Sequence, residues 1–352
     1  MIALSWRQSR TQVLVAAAAL AVLALLTAVT GPHLAQLYDA TVAVCGQHHD
    51  CDPARKALLL NDAGLRTWLG LLVVVVPGVV GIFWGAPMVA RELEAGTFRL
   101  AWTQSVTRTR WLSIKLGVVG LAVVAVAGVA SLAVSWWAAP LDRAGRDQFA
   151  TFDARGIVPL GHAAFAFALG VTAGVLMRRT LPAMATTMVA FIAARLAFAH
   201  LVRPHLLSPT VRAIALDPHS TGYGTMGSLF SSGGPATLMP NPPDLPNAWL
   251  ISSRIVDQGG HALTSTVLKA DCPSIGSAPP PGTAGGHGPA PAGVQQALQD
   301  CVAQVGATYH QAVTYQPAGH YWPLQWCETA IFVAAAVALC GLSLWWVRRR
   351  LG

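Results

Sequence analysis

Residues Gly156–Val202 read GIVPLGHAAFAFALGVTAGVLM-RRT-LPAMATTMVAFIAARLAFAHLV, two apolar runs separated by Arg178, Arg179 and Thr180. A helix rises about 1.5 Å per residue, so some 20 apolar residues cross a hydrocarbon core about 30 Å thick. Gly156–Met177 and Leu181–Val202 both meet that length. Paired arginines between them belong at a membrane face, and the stretch therefore predicts a hairpin of two spanning helices. Four more stretches qualify further out: Val13–Thr30, Trp68–Val89, Leu116–Ala139 and Ala330–Val347. The expectation is an all-α polytopic membrane protein with six transmembrane helices. Pro77 and Pro87 fall in the second span and predict kinks there.

Composition agrees. Of 352 residues 54% are hydrophobic and 11% charged, against about 25% charged in soluble domains. That excludes a disordered chain, a coiled coil and an ordinary cytosolic enzyme. The net charge of +8 raises the question of nucleic acid, and its placement answers it. With the N-terminus inside, twelve Lys and Arg residues fall on the inner segments against Glu92 and Glu94 alone, a sum of +10. Ten basic residues and all twelve Asp fall outside, a sum of −2. The asymmetry predicts cytoplasmic termini and a multi-pass protein of the plasma membrane, with no nucleic-acid partner. A cleaved signal peptide over residues 1–30 is the rival reading, but the apolar run is too long and no A-x-A site follows.

This topology divides the chain into helices one to five (1–202), an outer segment (203–325), and the sixth helix with its basic tail (326–352). The outer segment reads as large and loop-rich, with a disordered Pro/Gly-rich insertion at 273–293 and helical stretches at Ala248–Asp257 and Val294–His310. Cys45, Cys51, Cys272 and Cys301 all fall outside, where disulfides form. Local pairing, Cys45–Cys51 and Cys272–Cys301, is the most economical. The second would contribute about 3 kcal/mol through loop closure. Cys45–Cys51 also mixes thiols, imidazoles and a carboxylate, though not at a recognised zinc spacing, and no metal site is expected.

Motifs for catalysis are missing. None of Lys56, Lys115 and Lys269 follows glycine, which removes a P-loop, and H-E-x-x-H and G-x-S-x-G do not occur. No enzyme and no bound cofactor are expected. Arg195 is the one charge deep in a span, at roughly 2.5–3.5 kcal/mol on insertion scales. It either snorkels outward, pairs structurally or lines a substrate path, and Glu328 at the edge of the sixth span is the partner in reach. His162 and His200 read as interfacial. Trp6, Trp68, Trp136, Trp137, Trp322, Trp326, Trp345 and Trp346 read as a belt at the span ends.

The inner segment 90–115 reads ARELEAGTFRLAWTQSVTRTRWLSIK. Gly96 permits a turn after the second span, and Thr97 can cap a short helix. Phe98, Ala101 and Trp102 at i, i+3 and i+4 make one apolar face, suited to a membrane surface or a partner's groove. Glu94, Gly96 and Thr97, then Thr107–Arg108, then Lys115 at the third span resemble the permeases of type-2 ABC transporters. Trp6, Arg7, Gln8 and Arg10 ahead of the first span add to the likeness, which extends to the actinobacterial members. Val106 and Ile114 depart from the proline and glycine often found there, and the outer segment is longer than in many members.

The resemblance implies a permease subunit of an exporter, paired with a second copy or a paralogue. A separate cytoplasmic ATP-binding subunit would bind ATP and Mg. Glu92, Glu94, Gly96, Thr97, Phe98, Trp102, Thr107 and Arg108 would couple to that ATPase, and Arg195 and Glu328 would border the pathway. The alternative is a non-transporting sensor or immunity-type protein whose outer domain binds a ligand.

Overall fold

A computed structural model describes residues 2–45, 63–96, 107–144, 148–216, 245–272 and 292–350. Among the described residues six helical stretches are long and apolar enough to cross a membrane: Leu14–Ala43, Val74–Glu94, Thr109–Arg143, Val158–Met177, Thr180–His205 and Ala318–Arg350. The chain divides into two compact units, residues 1–207 with 319–352, and residues 208–318.

The first unit holds the spans. Helix α1 (Ile2–Tyr38) and helix α4 (Arg108–Arg143) run well past their apolar stretches. They pack together through Leu23, Leu34, Val134, Trp137 and Leu141. Trp137 is 1% exposed, and its indole donates to Thr30 Oγ1 at 2.9 Å. It is thus a core residue rather than a belt anchor, because α4 places it toward α1. Its neighbour Trp136 lays its ring against Gly31 of α1 but stays 57% exposed. The second span is α2 (Ala63–Val80), a π-type turn at Gly81–Gly85, and α3 (Ala86–Glu94). Pro77 sits inside α2, while Pro87 enters the first turn of α3, where its missing N–H is tolerated. The wider turn ahead of it carries an Ala86 N–H to Gly81 C=O bond.

Helix α5 (Val158–Met177) is central, packed by α2, α3, α4, α6 (Thr180–Ala197) and α9 (Tyr321–Arg350). Its sequence explains this: Ala163, Ala166, Gly170, Ala173 and Gly174 are buried and small, so neighbouring backbones come close. Gly81 and Gly85 meet Ala166, Phe167 and Gly170 of α5, and Gly174 meets Ala86 and Ala90 of α3. A Cβ on Gly85 would lie 2.7 Å from Phe167 O, and one on Gly174 2.6 Å from Ala86 O. Cβ atoms on Gly81 and Gly170 would collide with the carbonyl oxygens of Ala166 and Gly81. Helix α5 ends on Arg178 in the left-handed region (φ +54°), and α6 begins two residues later. That is the hairpin expected at Arg178-Arg179. Apolar side chains such as Leu121, Leu132 and Leu181 face away from the bundle, more than 70% exposed, as lipid-facing positions require.

The second unit corrects two expectations. It contains a three-stranded antiparallel sheet of β1 (Thr210–Ala215), β2 (Trp249–Asp257) and β3 (Tyr309–Gln316), ordered β1-β3-β2. The chain is therefore mostly helical rather than all-α, and the described part of this segment is more than loops. The stretch Ala248–Asp257 is a strand: Ile251, Ile255 and Val256 are β-branched, and Ser253 pairs with Val313 of β3. Helices α7 (Ser265–Asp271) and α8 (Ala292–Gly306) are joined by the Cys272–Cys301 disulfide over a Cα–Cα distance of 5.3 Å. The expected helix at Val294–His310 stops at Gly306, and Tyr309 and His310 belong to β3. Most of the 273–293 insertion lies outside the described residues, while Ala292 and Gly293 open α8.

Candidate functional site

Two polar assemblies occupy opposite ends of the bundle. The first starts from Gln325, which is fully buried on α9. Its Oε1 accepts from the amides of Ile157 and Val158, both at 3.0 Å, capping the start of α5. Its Nε2 donates to the carbonyls of Phe152 and Arg155 at 3.1 and 3.2 Å. This fixes the connector between α4 and α5. Gly156 has a φ of +74° and lies against the Gln325 amide, where a Cβ would sit 2.6 Å from Oε1. Arg155 grips Asp142 of α4 with two bonds of 2.7 Å.

One turn along α9, Glu328 is 0% exposed. Arg203 reaches it from the end of the fifth span with Nε to Oε2 and Nη2 to Oε1, both at 2.8 Å. Arg195 Nη1 lies 3.3 Å from Oε1, so the two groups expected to meet do so. Asp153, on a 3₁₀ turn of the connector, pairs with Arg203 and lies 3.1 Å from Arg195 Nη2. His162 Nε2 is 2.6 Å from Arg195 Nη1 and 3.0 Å from Glu328 Oε1. The imidazole therefore sits between a guanidinium and a carboxylate and touches both through the same nitrogen. His162 is 2% exposed, a correction to its interfacial reading. His200 is exposed.

The cluster joins α5, α6, the segment after α6, α9 and the connector. Two guanidiniums and two carboxylates balance, which makes burial of the charges tolerable. Burial alone would raise the Asp153 carboxyl, but Arg203 and Arg195 outweigh it and hold the group at about 2. Asp153, His162 and Glu328 present ligand atoms within 4.8 Å of one another. Both guanidiniums already occupy the carboxylate oxygens, and a divalent ion would add two charges to a balanced set. The donor set does not fit a metal; it fits a latch.

Sequence reasoning missed Arg203 and Asp153, which it counted as flank charges, and Gln325 altogether. The signal lay in Gln325 and Glu328, two polar groups at i and i+3 leading into an apolar run.

The second assembly lies at the other end of the spans. Helix α3 ends at Glu94, and Gly96 turns the chain with a φ of +69°. Lys115 of α4 pairs with Glu92 and lies 4.6 Å over the Trp111 ring. Glu94 Oε2 accepts from the amide and hydroxyl of Thr180 at 3.1 and 2.8 Å, binding the start of α6. Thr107 caps α4 by accepting from the Arg110 amide at 3.4 Å. Arg108 opens that helix. Thr97, Phe98 and Trp102 lie outside the described residues.

Of the cysteines, Cys272 and Cys301 are bonded as expected. Cys45 is also in a disulfide, while Cys51 lies outside the described residues. Cys327 and Cys340 are free thiols.

No curated protein and no solved structure is significantly similar to the chain. A family model does match, that of the ABC-2 membrane transporter related proteins, over residues 17–203. That range takes in five of the six spans, the Glu92–Lys115 segment and the arginines Arg195 and Arg203. Six membrane-crossing helices and that match together make this a multi-pass protein of the cell membrane, and the chain belongs to the ABC-2 membrane transporter related family.

Proposed function

We propose that the chain is the permease subunit of an ATP-driven exporter. A separate cytoplasmic ATPase, binding ATP and Mg, drives it through the segment between the second and third spans. It works with a second copy or a paralogue, the substrate passing between them. The observation that carries this reading is the bracing of that segment. Glu92 ties its start to the third span and Glu94 ties it to the fifth. A force on the segment is therefore delivered to α4 and α6 rather than lost in a slack loop.

Helix α6 gives the force a destination. Thr180 and Arg195 are 15 residues apart, about 22 Å of helix. One end of the rod is held by Glu94 and the other by Glu328 and Asp153 through Arg195. Displacing Thr180 loads the latch, which opens the bundle at its far end, and two discrete arrangements of packed helices suit such a switch. Arg195 and Glu328 act here as gate residues beside the pathway.

Co-purification with a cytoplasmic ATP-binding subunit and reconstitution with it test the proposal. Glu94→Ala should leave ATP hydrolysis within about twofold and lower transport at least tenfold. Unchanged transport, or an ATPase that never associates, would remove the assignment.

A further inference from the structure

The end of the bundle that carries Gly96 also gathers five arginines from two distant parts of the sequence. Arg178 and Arg179 form the turn between α5 and α6, and Arg348, Arg349 and Arg350 end α9. The Arg178 Nη2 donates to the Arg350 carbonyl at 3.2 Å, across 172 positions of chain. Arg349 lies over the Trp345 ring at 5.5 Å and Arg350 over Trp346 at 5.9 Å. All five arginines are exposed. Among the described residues none of them forms an ion pair with a carboxylate. The acid beside the turn, Glu94, bonds Thr180 through Oε2 and its charge acts on Arg179, offsetting one of the five.

Five guanidiniums drawn together repel one another unless something neutralises them. The C-terminal dipoles of α5 and α9 offer about half a negative charge each, and the N-terminus of α6 cancels one of those. Most of the charge is left uncompensated. The patch stands at the ends of three membrane-crossing helices, the level of the headgroups, and Trp345 is 44% exposed beside it. Guanidinium pairs bidentately with phosphate, and an aromatic ring prefers that interface.

We propose that Arg178, Arg179, Arg348, Arg349 and Arg350, with Trp345, form a binding site for the headgroup phosphate of an anionic phospholipid. The site is assembled by the fold, since turn and tail each supply only part of it. It holds the α5–α6 turn to the end of α9 by charge neutralisation. Each guanidinium near an anionic surface is worth roughly a fivefold preference, so a few acting together select anionic over zwitterionic lipid at least tenfold.

The test uses the full-length protein in nanodiscs of phosphatidylcholine with 30% phosphatidylglycerol, followed by native mass spectrometry of retained lipid. Wild type should retain phosphatidylglycerol and phosphatidylcholine in a ratio at least tenfold above that of the mixture. R178Q/R179Q and R348Q/R349Q/R350Q should each lose most of that enrichment, while R212Q/R254Q, which removes two exposed arginines elsewhere, should keep it. Equal retention of the two lipids by wild type would overturn the proposal. So would enrichment that survives both patch variants, or its displacement by millimolar inorganic phosphate, which would mark a free-anion site.

Discussion

Replacing Gly174 by Ala tests how the second and fourth spans are held together. The added Cβ would lie 2.6 Å from Ala86 O, with Ala90 N at 3.4 Å and Ala90 Cβ at 3.5 Å. Ordinary contact begins near 3.4 Å, so α3 and α5 must part by about 0.8 Å, and the obstacle is backbone that cannot rotate away. Overpacking of this kind costs about 1–3 kcal/mol. Helix propensity offsets part of it, because Ala is favoured over Gly by about 1 kcal/mol. Gly117 supplies the control: it lies in α4, and a methyl group added there would meet nothing within 4 Å, so Gly117→Ala gains propensity without a clash. Thermal unfolding of the detergent-solubilised protein, followed by intrinsic fluorescence, should show Gly174→Ala several degrees below Gly117→Ala, at about 2–4 °C per kcal/mol. If the two variants melt together, the close glycine crossing is not what positions α3. The braced loop at Glu92 and Glu94 would then need another support.

Glu328→Gln keeps the shape of the side chain and leaves Arg195 and Arg203 with Asp153 alone. Removing one partner of a buried pair costs about 3–5 kcal/mol, and Arg195→Gln added to it should recover part of the loss in a double-mutant cycle. Simple additivity of the two substitutions would show that the groups do not interact. Asp153 gives a pH signature. Its folded value of about 2 lies below the ordinary value near 3.9, so its stabilising contribution is complete above about pH 4 and lost as pH falls through 2. The stability advantage of wild type over Asp153→Asn should therefore stay constant from about pH 8 to about pH 5 and shrink between about pH 4 and about pH 2. An advantage independent of pH would contradict the pairing.

Six spans, the hairpin at Arg178-Arg179, the membrane class and the Cys272–Cys301 pair were legible in the sequence. Each depends on local quantities: apolar length, adjacent charges, or cysteines a short loop apart. Strand β2 was not legible, because its pairing partner β3 lies about 60 residues away and a nine-residue stretch of mixed polarity has no decisive period. Trp137 and His162 went the same way. A residue near a span end is anchored at the interface or buried according to which face a neighbouring helix covers, and α1 and α9 decide that.

The candidate site divides along the same line. Arg195 announced itself because a lone charge in an apolar run is costly, and Glu328 followed as the acid within reach. Arg203 and Asp153 looked like ordinary flank charges until the turn after α6 and the Gln325-bound connector brought them inward. Composition and spacing alone determined that this chain carries six stretches long and apolar enough to cross a membrane and which of its ends is basic, since burying a charge in lipid is expensive at any position. Only the tertiary structure decided that five scattered polar residues form one balanced cluster, because the attraction that makes such burial tolerable exists only once the helices place those charges within about 3 Å of each other.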